Sequence, residues 1–242
     1  MEALPSIESG QISAKLIAPV WHTIITLLIL AVLSALGALS AYLYQGAAAG
    51  MATGNRIPGY AVTILVEWLV LAFVWFGVRL RGFRVRELIG GNWSRLSWIW
   101  RDIGLAIVFL IASNLVLAVL GRFLHAAPNQ AIRSLLPRPG LETVVYLFLA
   151  LSAGICEEII FRGYFQRQFA AMTRSAEMGL VIQGLIFGVS HGYQGSKYMV
   201  IIFVYGCLFG LLASWRRSLR PGMCAHFFQD GGIGLLARHL MK

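Results

Sequence analysis

Six ionisable side chains fall in or beside apolar runs of the last hundred residues: Glu157, Glu158, Arg162, His191, His226 and Asp230. Such groups are costly inside a membrane and are functional candidates by default. In Cys156-Glu157-Glu158-Ile159-Ile160-Phe161-Arg162, residues four apart share a helical face, so Glu158 and Arg162 are neighbours that can pair. Glu157 points about 100° away from Glu158. Glu158 is therefore read as the ionised partner of Arg162, a clamp that would serve structure or catalysis alike. Glu157 is left free for proton transfer as a general base. Ala153 and Gly154, one turn earlier, leave room beside it for water or substrate.

The second group is Phe187-Gly188-Val189-Ser190-His191, and the third His226-Phe227-Phe228-Gln229-Asp230. If the helices flanking Arg174 form an antiparallel hairpin, Glu157 lies 17 residues before the turn and His191 lies 17 after it. At equal rise per residue the two meet at one level, where His191 can hydrogen-bond Glu157 or share a water with it. His226 and Asp230 lie one turn apart on one face. Glu67 stands alone in an earlier apolar run and is read as a protonated or hydrogen-bonded structural residue. Cys156 has no specific activating group and is not read as a nucleophile.

The elements that must carry these groups follow from composition. Of 242 residues 58% are apolar and 12% are charged, against about 25% charged in soluble domains. Between Leu16 and Arg56 there is no ionised side chain, a run that lipid solvates most simply. The net charge of +10 does not point to nucleic acid, because the basic residues form short clusters between apolar runs. Three cysteines in or beside apolar runs exclude a disulfide framework. The first apolar run exceeds a signal-peptide core and reads as a retained anchor. The expectation is an all-α, polytopic transmembrane helical bundle of about seven spans (six to eight). They fall near 18–44, 58–78, 102–121, 142–161, 177–191, 198–215 and 222–238. Alternate connecting segments, starting at the N-terminus, hold thirteen Lys and Arg and the others seven, which predicts a cytoplasmic N-terminus. Gly184–Gly188 and Gly206–Gly210 predict close packing of the fifth and sixth spans.

Taken together, Glu157-Glu158-x-x-x-Arg162, Phe187-x-x-x-His191 and His226-x-x-x-Asp230 resemble the three motifs of the CPBP family of intramembrane glutamic endopeptidases. That family includes the type II CAAX prenyl proteases and Abi-like bacteriocin-processing or self-immunity proteins. The resemblance covers residues 141–242, read as a catalytic core; residues 1–140 are read as N-terminal transmembrane helices without a recognised motif. It implies an intramembrane endopeptidase acting on a membrane-associated, prenylated CAAX-type or leader peptide; the short loops between the spans suggest a prokaryotic inner membrane. Glu157 and His191 would activate a water, and His226 with residue 230 would bind the oxyanion, in a cavity open towards Arg162 and the cytoplasm. Asn can donate to an oxyanion; an ionised Asp230 cannot, so it would have to be protonated or would orient His226 or the water instead. The implied mechanism needs no cofactor. The same side chains are acceptable zinc ligands, but without an H-E-x-x-H pair the metal-free route is favoured. The rival class is a non-catalytic protein of the same fold, serving immunity or scaffolding, or a proton-coupled transporter.

Overall fold

In lipid each backbone N–H and C=O must find its partner within the chain, and a helix does so locally. The computed structural model describes residues 15–45, 54–127 and 130–240. In chain order these form α1 (Val20–Gln45), α2 (Ile57–Leu80), the short α3 (Val85–Ile89), α4 (Leu96–Phe123) and α5 (Gln130–Leu135). Helix α6 (Leu141–Glu157) continues through a π-helical stretch (Glu158–Phe165) into α7 (Gln166–Thr173). There follow α8 (Ala176–Ser190), one 3-10 turn (Gly192–Gln194), α9 (Ser196–Arg216) and α10 (Arg220–Leu240). This is the all-α polytopic bundle that the composition requires.

Five helical runs are long and apolar enough to cross a membrane: Val20–Leu43, Ile57–Leu80, Leu96–Phe123, Leu141–Thr173 and Ser196–Arg216. The other two expected spans are also helices, of different character. With 15 residues, α8 is about 22 Å long, short of the about 30 Å hydrocarbon layer. Helix α10 is long enough at 21 residues but carries His226, Gln229 and Asp230. The fourth span runs beyond its expected end near residue 161 to Thr173. Arg162 and Arg167, counted among the connecting segments on charge pattern, therefore lie inside it. Lys242 and the Arg238 side chain, also counted there, lie outside the described residues.

Lipid-facing and core-facing sides separate as an inverted soluble protein would require. Val108, Ile111, Leu115 and Val119 form an exposed apolar stripe along α4. Polar side chains instead tie the interior. Gln168 of α7 accepts from the Ile17 and Ala18 amides at 3.0 and 3.1 Å and donates to the Ala18 carbonyl. His22 of α1 bonds the Tyr164 hydroxyl and the Phe73 carbonyl oxygen. Its ring lies where a side chain at Gly77 would stand, so α1, α2 and the π-helical stretch meet there.

The two glycine pairs do what their spacing implies. A Cβ at Gly206 would lie 3.2 Å from the Gly184 Cα, and one at Gly188 only 2.6 Å from the Met199 carbonyl oxygen. Backbone contact at this range exposes carbonyls of α9 to side-chain donors. Gln183 Nε2 donates to the Gly206 carbonyl at 2.9 Å, and Gln166 Nε2 to the Gly210 carbonyl at 3.2 Å. Gly188→Val should separate α8 from α9 and lower stability by about 1–3 kcal/mol, as overpacking does. The check is thermal unfolding of the detergent-solubilised protein, with Val189→Ala on the exposed face as the control, expected to unfold near the wild-type temperature.

Candidate active site

The site is assembled where α6, the π-helical stretch and α10 cross. A Cβ at Gly154 would lie 3.0 Å from the Met223 carbonyl oxygen and 3.2 Å from the Phe227 nitrogen. Gly154 therefore lets α10 approach, rather than leaving open room as its sequence position suggested. Gly222 has the complementary task, since a Cβ there would lie 2.8 Å from Glu158 Oε2. Isolated π-helical turns occur preferentially at functional sites, and this one begins at Glu158 and contains Arg162.

Glu158 and Arg162 form an ion pair of 3.0 Å in which both side chains are fully buried. The guanidinium is enclosed by aromatic rings, 4.2 Å from the centroid of Phe187 and 4.9 Å from that of Phe209. Cation–π attraction thus adds to the ion pair where water is excluded. Glu158 Oε1 also contacts His226 Nδ1 at 3.2 Å. An ionised carboxylate only accepts, so Nδ1 carries the hydrogen and Nε2 faces away from Glu158. That nitrogen lies 3.6 Å from both Glu157 Oε2 and Asp230 Oδ2. Both gaps exceed a direct hydrogen bond and suit a bridging water or a substrate atom.

His191 caps the end of α8, where its Nδ1 donates to the Phe187 carbonyl oxygen at 2.8 Å. The carbonyl can only accept, so Nε2 is the nitrogen available for chemistry. The ring also rests edge-on against Phe187, with centroids 4.7 Å apart. Among the described residues His191 makes no hydrogen bond to Glu157, one of the two contacts that the hairpin arithmetic allowed. Electrostatically it reaches Asp230. Phe187 is the residue whose role the sequence left blank: it holds Arg162 on its face and His191 at its edge.

Side-chain exposure rises from Glu158 (0%) through His226 (9%) and Glu157 (20%) to Asp230 (37%). The site therefore opens away from Arg162. This corrects the expected opening towards it, which took Arg162 as a marker of the membrane edge; the buried ion pair removes that basis. Tyr193 and Tyr146 lie on the open side, each within electrostatic reach of Asp230. Glu67, read as a protonated or hydrogen-bonded residue outside the motifs, accepts from the Ser152 hydroxyl at 2.6 Å and lies within electrostatic reach of Glu157, His226 and Asp230. Nothing in a single sequence pairs residue 67 with residue 152. Among the described residues no three His, Cys, Asp or Glu side chains are gathered as a metal would require.

Removing one partner of the buried pair should be severe. Arg162→Leu leaves Glu158 as an uncompensated buried charge, at a cost of about 3–5 kcal/mol. Glu158→Leu leaves Arg162 in the same position. The Glu158→Leu/Arg162→Leu double variant should unfold at a higher temperature than either single variant. Additive losses in thermal unfolding would contradict the pairing.

Residues 139–232, which include all three motifs, match the family model described as Type II CAAX prenyl endopeptidase Rce1-like. The chain is also 29% identical over 136 residues to "Uncharacterized protein YpbD" of Bacillus subtilis (strain 168). That similarity covers 54% of this chain and 65% of the relative. No solved structure matches. Family model and motifs thus agree on one stretch of the molecule: residues 139–232 are similar to the type II CAAX prenyl endopeptidase Rce1-like family.

Proposed function

We propose that the protein is an intramembrane glutamic endopeptidase that hydrolyses a peptide bond of a membrane-associated substrate, a prenylated CAAX-type or a leader peptide. The observation that carries this reading is the position of His226. One ring nitrogen is fixed by Glu158, and the other faces Glu157 and Asp230 across gaps of 3.6 Å. Glu157 is the general base. It takes a proton from a water oriented with the help of His191 Nε2, and the water oxygen attacks the peptide carbonyl carbon. His226, carrying a proton on each ring nitrogen in this role, donates its Nε2–H to the oxyanion that forms. The proton held by Glu157 then passes to the amide nitrogen as the C–N bond breaks, which restores the carboxylate. Asp230, an acceptor when ionised, orients the His226 Nε2–H rather than binding the oxyanion itself.

This mechanism uses only the chain's own side chains and needs no metal. The proposed location is a prokaryotic inner membrane, with lipid and the peptide substrate as partners. The N-terminus is proposed to be cytoplasmic. With Arg162 and Arg167, both inside the fourth span, withdrawn from the charge count, the excess on that side persists at eleven against seven.

Glu157→Gln should abolish hydrolysis and leave thermal unfolding close to that of the wild type. The measurement is mass spectrometry of membrane peptides from cells expressing each form. Cleavage products present with wild type and absent with Glu157→Gln are expected. Identical peptide sets would instead favour a non-catalytic protein of this fold, or a transporter. Purified enzyme should also keep its rate after exhaustive chelation; complete loss restored by zinc would replace the metal-free route.

A further inference from the structure

We propose that Glu67 is a positioning residue of this site, sharing one proton with Glu157 across the contact between α2 and α6. The inference rests on the reading of Glu157 as base. It adds to the site a residue of the N-terminal half, outside the segment that matches the family.

Three observations carry it. The first is placement. The Ser152 hydroxyl, on α6 and buried, donates to Glu67 Oε2 at 2.6 Å, and Cys156 Sγ lies 4.0 Å from the same hydroxyl. Serine donation holds the Glu67 carboxyl against α6 one turn before its end, within electrostatic reach of Glu157. Among the described residues, no Lys or Arg pairs with Glu67.

The second is charge. Four carboxyl groups (Glu67, Glu157, Glu158 and Asp230) share this interior with one guanidinium, Arg162, and one central imidazole, His226. Even a charged His226 leaves two negative charges without a counter-charge. Carboxylates brought together away from water do not all ionise; such groups keep protons among them. Glu158 is committed to Arg162, so the retained protons belong to the remaining three.

The third is an unsatisfied atom. Glu157 Oε2 is buried and has no hydrogen-bond donor. A protonated carboxyl is a donor. A proton held between Glu67 and Glu157, relayed by one water, gives that oxygen its partner. The other ionisable or hydroxyl groups facing the pair are Ser152 and Cys156 on α6, Arg162 in the π-helical stretch, His191 and Tyr193 at and after the end of α8, and His226 and Asp230 on α10. Among these, Glu67 is the carboxyl contributed by α2, so its removal leaves the motif residues in place.

The test is kcat/KM between pH 5 and 9 for the full chain in liposomes. The probe is a quenched fluorogenic transmembrane peptide that the wild type cleaves, compared across wild type, Glu67→Gln, Glu67→Asp and Glu157→Gln. Replacing a shared-proton partner by an amide removes the proton that stabilises the Glu157 carboxylate. The acid limb of the Glu67→Gln profile should then move to higher pH by about one unit. Glu67→Asp, which draws the carboxyl back, should move it part of the way. A residue that only packs would change the height of the profile and leave its limb in place. Superimposed acid limbs in both variants overturn the proposal, and Glu67→Asp alone decides it if Glu67→Gln does not fold. An inactive Glu157→Gln with unmoved limbs rejects the role of Glu67 alone. A fully active Glu157→Gln rejects the base assignment and the proposal with it.

Discussion

A guanidinium sealed from water must be answered by the chain around it, and the fully buried Arg162 is the constraint around which this bundle is arranged. Glu158 supplies the counter-charge, Phe187 and Phe209 supply aromatic faces, and the Gly206 carbonyl oxygen stands 3.5 Å from Nη2. These partners come from three different helical runs, so pairing Arg162 also fixes how those runs meet. The consequence reaches the chemistry through one further contact. Glu158 holds His226 Nδ1, and the ring then presents Nε2 to Glu157 and Asp230. A buried ion pair is weak evidence for stability, since well-packed apolar residues often serve as well. Its use here is orientation: it fixes the direction of a ring two side chains away.

The glycines make the same arrangement sterically accessible. Gly154 and Gly222 let α10 lie directly over α6 and the Glu158 carboxylate, and Gly184, Gly188 and Gly206 bring α8 and α9 into backbone contact. In lipid, where no hydrophobic drive presses helices together, such contacts and the hydrogen bonds they permit hold a bundle. The glutamine side chains follow this logic, since Gln183 and Gln166 bond carbonyls that only close glycine packing exposes. At the basic end of the bundle Asp102 accepts from Trp93 and pairs with Arg101 and Arg216, tying α4 to the end of α9. At the opposite end Glu142 pairs with Arg56 and accepts from two backbone amides.

Much of this was legible in the sequence, and the reason is periodicity. Helical spacing placed Glu158 beside Arg162 and His226 one turn before Asp230, because both are local relations that a 3.6-residue repeat determines. Scarcity of charge marked the spans and left the polar exceptions conspicuous. What escaped was everything that depends on how separate helices face one another. The contact of Glu158 with His226 crosses 68 residues, and that of Ser152 with Glu67 crosses 85. The π-helical stretch carried Arg162 into the core when charge pattern alone placed it near a membrane edge, and the inferred direction of the opening changed with it. Phe187 stood in the second motif without a role, and the structure supplies one: it holds Arg162 on its face and His191 at its edge.

The central claim is that the buried Glu158–Arg162 pair fixes the proton of His226 on Nδ1 and turns Nε2 towards the reacting groups. Nitrogen NMR of 15N-histidine-labelled protein in lipid measures this directly, with His226→Gln used to assign the signal. The account expects a protonated Nδ1 in the wild type and loss of that fixed state in Glu158→Gln. A His226 ring that carries its only proton on Nε2, or that is unaffected by Glu158→Gln, would contradict it.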